Sequence, residues 1–277
     1  MNLFNRLTIL LLAVVALQSC EKSAVSTVDD DKKPIAVTPA ELVRSVTWDV
    51  TVIHKMEFTY NADSTIKFYT AGSSNLAWKY TSAFIYQNRK PTEMKHDDVL
   101  STRYTYINGK VSQKSYTNPS GVETARFNYT YNSKGQIERL KEMVALYGVL
   151  SLTQDITYQY DAAGTLTETQ SKWYDEHGAQ SATVVRKYQS WSPEVYINPF
   201  ALLHSLYQHQ ANEVFDDVVL GTLHKLPVKI TETGNPEIDA ATYEYHITQT
   251  GKRIDKLNCT LKVGSISYDT AEAIFHY

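Results

Sequence analysis

The chain has few means of cross-linking itself and none of spanning a bilayer with a helix. Two cysteines, Cys20 and Cys259, occur in 277 residues, which excludes the disulfide framework that staples small exported domains. The longest apolar run, Leu7 to Leu17, is broken only by Thr8 and is too short to cross a membrane, which takes about 20 residues. Charge is nearly balanced, with 27 basic against 30 acidic residues. No basic stripe points to a nucleic-acid partner. Also missing are the His-Glu-x-x-His spacing of a zinc site, the Gly-x-Ser-x-Gly elbow, the P-loop and the dinucleotide fingerprint. The 8 histidines are scattered; His96-Asp97-Asp98 lies in a loop signal, and Asp216-Asp217 reads as a solvated turn. A glycosidase carboxylate pair can be distant in sequence, but no particular pair stands out. The expectation is no metal, no cofactor and no enzymatic activity.

What is present begins at the N-terminus. Asn5 and Arg6 precede the apolar run, and Leu17-Gln18-Ser19-Cys20 follows it before the chain turns polar at Glu21. That order is a secretory signal, and the cysteine after a small residue resembles the lipobox of bacterial lipoproteins. The resemblance implies cleavage of residues 1–19, acylation of Cys20 (palmitate among the chains) and a membrane partner through that lipid. Gln18 departs from the family, which prefers a small or aliphatic residue there. Residues 20–43, rich in Ser, Asp, Lys and Pro around Asp29-Asp30-Asp31-Lys32-Lys33-Pro34, read as a flexible tether. Residues 44–277 are the folded domain. Localisation is then an outer-membrane lipoprotein, facing either the periplasm or the cell surface.

The domain is punctuated by tyrosine, which occurs 20 times against 8 Phe and 4 Trp. Aromatic-x-aromatic recurs before polar turns at Phe58-Thr59-Tyr60, Phe84-Ile85-Tyr86, Tyr104-Thr105-Tyr106, Tyr129-Thr130-Tyr131, Tyr158-Gln159-Tyr160, Tyr243-Glu244-Tyr245 and Phe275-His276-Tyr277. Each unit reads as a β-hairpin, because residues two apart share one face of a strand and Gly accepts the positive φ of a tight turn. Leu150 to Tyr160 alternates most clearly, and Val46, Trp48, Val50 and Val52 alternate likewise. The pattern implies an antiparallel sheet with one dry and one wet face. Cys259 falls on the apolar side of such a run, as a buried, inert thiol.

Tyr160-Asp161-Ala162-Ala163-Gly164-Thr165-Leu166 resembles the YD-repeat core Tyr-Asp-x-x-Gly-x-Leu, and Tyr131-Asn132-Ser133-Lys134-Gly135-Gln136-Ile137 is similar. The Asp or Asn is expected to cap its own turn. YD-repeat proteins wrap many copies into large shells; about six degenerate copies put a closed shell of that kind out of reach here. The whole layout resembles a group of Bacteroidota-type lipoproteins with Tyr-rich hairpins, a resemblance that brings no activity with it.

One segment breaks the two-residue period. Asn198 as N-cap and Pro199 at the first helical position predict a helix over about 199–209, with Phe200, Leu203, Leu206 and Tyr207 on one face. Thr38-Pro39-Ala40-Glu41 fits a capping box. The expected fold is all-β: a curled antiparallel meander of repeated hairpins, with one short helix packed on its apolar face. An outer-membrane barrel also ends in an aromatic residue, but these hairpins place Lys, Glu and Gln where lipid would lie. Of the aromatics near loops, Trp78, Trp173 and Trp191, with Tyr174, the pair Trp173-Tyr174 and Trp191 are the candidates for ligand binding. The function expected is a non-enzymatic binding or scaffold module. A carrier of an apolar ligand, or a glycan-binding or glycan-active accessory protein, are the alternatives; a glycan, a lipid or an envelope protein is the partner.

Overall fold

The two-residue period becomes strand along nearly the whole domain. The computed structural model describes residues 41–49, 53–73, 79–206, 215–238, 240–269 and 272–277, which fall in one unit, Pro39–Tyr277. The signal, Cys20, most of the tether, the capping-box start at Thr38, Trp78 and the last residues of the expected helix lie outside the described residues. Seventeen strands follow one another: β1 (Ser45–Asp49), β2 (Ile53–Tyr60), β3 (Ile66–Ser73), β4 (Lys79–Gln87), β5 (Lys90–His96), β6 (Leu100–Ile107), β7 (Lys110–Thr117), β8 (Glu123–Tyr131), β9 (Ile137–Leu146), β10 (Val149–Tyr160), β11 (Leu166–Tyr174), β12 (Gln180–Trp191), β13 (Pro227–Thr233), β14 (Ala240–Thr250), β15 (Arg253–Val263), β16 (Ile266–Asp269) and β17 (Ala273–His276). Two short helices, α1 (Pro199–Leu206) and α2 (Asp217–Leu220), lie between β12 and β13.

Each strand from β1 to β15 pairs antiparallel with the next, as a meander. β15 pairs with β16 at one end, Val263 opposite Ile266, and with β17 further along, Leu257 opposite Ala273. Those two short strands are successive lengths of one ribbon. β17 then pairs with β1, Ser45 opposite His276. The expected curl therefore runs full circle, into a closed barrel of 16 strand positions. Closure removes both sheet edges. It reaches a ring that six repeat copies had seemed too few to make, because hairpins without the motif fill the rest of the circumference.

Closure also sorts the side chains. Val46, Met56, Tyr69, Phe84, Tyr104, Leu140, Ile156, Tyr158, Ile230, Tyr243 and Cys259 point inward and are buried in one continuous core. Burial pushes the Cys259 thiol up to about 12, as expected of an inert thiol. The outer wall carries Lys55, Glu57, Arg103, Lys172, Lys187 and His246, all exposed. The alternation of β10 is interrupted by a register shift between Leu152 and Gln154, so Gln154 joins the buried set.

The chain enters β1 and leaves β17 at the same rim, here the entry rim. The hairpin turns after β2, β4, β6, β8, β10 and β14 lie there too, with the long β12–β13 connection. The tyrosine motif is explained at this rim. In five of the seven pairs the second aromatic donates its hydroxyl to a backbone carbonyl of a neighbouring segment: Tyr60 to Val43 (2.6 Å), Tyr106 to Pro91 (2.8 Å), Tyr131 to Val111 (2.7 Å), Tyr160 to Ile137 (2.8 Å) and Tyr277 to Ile254 (3.1 Å). At the corresponding place Tyr86 accepts from the Ile66 backbone N–H. The acceptor is usually the aliphatic residue just past the turn, so the repeat is a ladder stitched from hairpin to hairpin.

The turn residues behave as expected. Asn132 Oδ1 accepts from the amides of Lys134 and Gln136, both at 3.0 Å, and Asp161 Oδ1 accepts from Thr165 at 2.8 Å. The same turn, without the tyrosine motif, recurs at the far rim at Asn118 and Asp175. Gly135 is required by its φ of +81°; the Lys110 ammonium folds across the turn beside it and could swing aside for a Cβ.

Two outcomes follow from the ladder. Tyr131→Phe strands the Val111 carbonyl and is expected to cost about 1 kcal/mol, or about 2–4 °C in Tm, while Tyr268→Phe on exposed β16 leaves Tm unchanged; thermal unfolding reads both. Burial lifts Tyr106, Tyr131 and Tyr160 to about 12, whereas an unfolded tyrosine ionises near pH 10. The folded state thus holds protons that the unfolded chain releases. Stability is intact below about pH 10 and falls as pH rises towards 12. Tyrosinate absorbance of these residues is expected to grow in step with the loss of β-sheet circular dichroism.

Candidate functional site: a filled barrel with a groove at its entry rim

A ring this wide encloses more space than the side chains of its own strands fill. The β12–β13 connection occupies it. Phe200 of α1 packs on Phe84 and Tyr69, with ring centroids 4.9 and 6.1 Å apart, and Phe215 packs on Tyr188 at 5.7 Å. Ala201, Leu202, Val219 and Leu220 are buried beside them. The helix expected to show one apolar stripe is buried on more than one side, because it stands inside the barrel rather than on a sheet. Asn198 caps it as predicted, its Oδ1 accepting from the amides of Phe200 and Ala201 at 3.1 Å.

Asp216 and Asp217 are not a solvated turn. Asp216 caps α2, accepting from the Val219 amide at 2.9 Å, and both carboxylates receive the fully buried Lys114 from β7, at 2.5 Å to Asp216 and 2.6 Å to Asp217. Tyr104 donates to Asp217 at 2.7 Å, and Tyr129 donates to Asp216. Burial alone would depress the Lys114 ammonium. The two carboxylates overcome that and hold its pKa well above the ordinary lysine value. The Lys114 ammonium also lies 4.6 Å from the Phe127 ring centroid. Five polar groups from three strands and the connection thus form one lock. A solvated reading of Asp-Asp was natural because Lys114 is 102 residues away in sequence and sits at an inward position that the local pattern fills with aromatics.

His96 bridges two hydroxyls, 2.7 Å from Ser82 and 3.0 Å from Thr102. Burial lowers its pKa and nearby Asp217 partly restores it. A second buried pair, Arg186 on β12 and Glu232 on β13, closes at 2.5 Å with both side chains fully buried, and Asn235 donates to Glu232 at 2.8 Å.

Space remains where the connection meets the tyrosine rim. One cleft of about 420 Å³ is lined by Tyr106, Lys110, Tyr131, Gly135, Phe200 and Thr222, among others. A second, of about 310 Å³, is lined by Gly135, Gln136, Tyr160, Trp191, Thr222 and Lys225, among others. They meet at Gly135 and Thr222, forming one groove along the inside of the rim. A smaller space of about 260 Å³ lies by His96, Tyr116, Phe200 and Asp217. Of the aromatics singled out from sequence, Trp191 lines the groove and leans on Tyr188, 5.8 Å between centroids. Trp173 lies across from Gln154 and Ala182, at the far end of β11, and is half-buried there beside Tyr174. The structure does not bring Trp173 and Tyr174 together with Trp191.

The lock yields a stability test. Lys114→Met leaves two nearly buried carboxylates without their cation and is expected to lower unfolding free energy by about 3–5 kcal/mol. The triple change Lys114→Met, Asp216→Asn, Asp217→Asn is expected to recover most of that loss. Urea unfolding at neutral pH measures both.

No family model matches this sequence, and no curated protein matches it. Solved structures do match. A porin-like protein from Bacteroides uniformis superposes with a TM-score of 0.57 at 12% identity, over 87% of this chain and 98% of that one. A porin-like protein from Bacteroides vulgatus covers 85% of this chain and 98% of its own length, at 12% identity and a TM-score of 0.49. At such identity the likeness to the first is one of fold, a large closed β-barrel.

Proposed function

We propose that this chain is a lipid-anchored protein of the bacterial cell envelope that works as a non-enzymatic binding module, with the entry-rim groove as its binding surface. The porin-like barrel of Bacteroides uniformis supports an envelope setting, and the lipobox around Cys20 supports anchoring at the outer membrane. One observation carries the reading: the barrel is filled by its own connection and walled by exposed Lys, Glu and Arg. A wall facing lipid needs an apolar band, and a channel needs an open lumen, so neither spanning nor transport fits this chain. Among the described residues the rim groove is the space best placed for recognition, and its larger cleft falls in the size range of small-molecule sites, about 300–1,000 Å³.

The polar groups that might do chemistry are otherwise engaged. Lys114, Asp216 and Asp217 lock the connection to the wall, and His96 is held between two hydroxyls. An apolar carrier fits less well, because Tyr, Leu and Phe side chains occupy the interior.

Mass spectrometry of mature protein from cells is expected to show diacylated or triacylated Cys20 as the first residue. Cys20→Ala is expected to move the protein out of the membrane fraction. Unacylated wild-type protein, or hydrolase activity of the purified soluble domain, overturns the reading.

A further inference from the structure

The groove carries an unbalanced charge. The carboxylates beside it are already spoken for: Glu194 by Lys252 at 2.9 Å, Asp217 by Lys114, and Asp161 by its own turn. Ion pairing with Lys252 holds the Glu194 carboxyl below the usual range. The cations are in surplus. Lys110 folds over the Tyr131 ring, 5.2 Å from its centroid, and Lys90 over Tyr106 at 5.6 Å. Lys134 donates to the Ala162 carbonyl at 3.3 Å. Lys225 lines the second cleft and is exposed. None of these four forms an ion pair with a carboxylate among the described residues. Exposed acids stand at the far rim, at Asp97, Asp98, Asp175, Glu176 and Glu237, and at the entry rim at Asp63, Asp161 and Glu194.

The repeat gives the groove its rhythm. Neighbouring entry-rim turns are two strands apart, about 10 Å, and those at Gly109 and Gly135 bring a tyrosine inward with Lys110 or Gln136 just past the glycine. Lys90, Lys110 and Gln136 each reach across to the next turn, over Gly109, Gly135 and Gly164. Gly109, Gly135 and Gly164 leave the floor low. The result is a trough of rings with Lys110 and Gln136 between them, ending at Trp191. Rings offer apolar faces to the C–H faces of sugars, and ammonium groups attract anions where the local field is of one sign.

We propose that this groove binds an extended oligosaccharide bearing carboxylate or phosphate groups, with Tyr106, Tyr131, Tyr160 and Trp191 as the aromatic floor and Lys110, Lys134 and Lys225 as the anion contacts. The proposal rests on the binding-module reading and names its ligand class. The sugar comes either from a soluble acidic polysaccharide or from the saccharide of a membrane glycolipid, and the test separates the two.

The soluble domain from residue 21 onward, tethered through a C-terminal tag, is titrated by calorimetry with oligogalacturonate hexamer, with neutral cellohexaose, and with vesicles containing lipopolysaccharide or only anionic phospholipid. Binding to oligogalacturonate or to lipopolysaccharide vesicles is expected, and which of them binds identifies the source. Cellohexaose is expected to bind at least about tenfold more weakly. Lys110→Gln, Lys134→Gln and Lys225→Gln combined are expected to cost about tenfold or more, since each partly exposed pair contributes up to about a fivefold effect. The loss shrinks as salt is raised. Lys172→Gln with Lys187→Gln on the outer wall leaves affinity unchanged, and thermal unfolding checks that every variant folds. Trp191→Ala weakens binding and Trp191→Phe largely restores it.

Equal binding of neutral and acidic sugars, indifferent to the lysine changes, overturns the ligand class while the binding-module reading stands. Equal binding to lipopolysaccharide and plain anionic vesicles, with no soluble sugar bound, overturns the proposal in favour of a membrane-docking rim. Absence of all binding also overturns it. Loss of Cys20 acylation would instead strike the envelope reading and is measured separately.

Discussion

A closed ring of 16 antiparallel positions must be filled, and most of this molecule answers that constraint. Left empty, the interior would forfeit packing contacts on every inward side chain. The chain fills it in two ways. Inward positions carry tyrosine, whose ring spans more space than an aliphatic side chain and whose hydroxyl needs a partner. The β12–β13 connection then occupies the middle, held by apolar rings on both sides and by Lys114 between Asp216 and Asp217.

The tyrosine ladder and the lock divide the work. The ladder is local in its logic: each of its donating hydroxyls bonds a carbonyl of a neighbouring segment, so the entry rim is rigid turn by turn. The lock is long-range, joining β6, β7 and β8 to a helix cap about a hundred residues further along. Burying a lysine and two aspartates costs desolvation, which mutual attraction and two tyrosine donors offset. A lock of this kind specifies where the connection sits, which apolar contacts alone do with less precision of register.

The proposed function rests on what the filling leaves over. The connection occupies the middle of the barrel, and the described outer wall is polar. Among the described residues a groove runs along the rim, walled on one side by repeat turns and on the other by the connection around Thr222. Its lining draws on the repeat: Tyr106, Tyr131 and Tyr160, the glycines Gly109, Gly135 and Gly164, and the long side chains of Lys110 and Gln136.

Much of this was legible in the linear pattern. Alternation in Val46 and Trp48, and in Ile156 and Tyr158, names the inward face, and the strands follow from that period. Asn132, Asp161, Gly135 and Gly164 mark turns whose capping bonds form as their chemistry requires. Asn198-Pro199 marks a helix start. These features depend on neighbours within a few residues, so sequence alone determined them. Whether the curl would close was decided only in three dimensions, because closure depends on β1 meeting β17 across the length of the domain. The same holds for Asp216 and Asp217, which local sequence makes a polar turn and which a distant buried lysine makes a lock. Trp191 and Trp173 look alike in sequence, yet one borders the groove and the other lies at the opposite rim. Strand direction and register, summed around the barrel, place them there, and no local interval of sequence holds that sum.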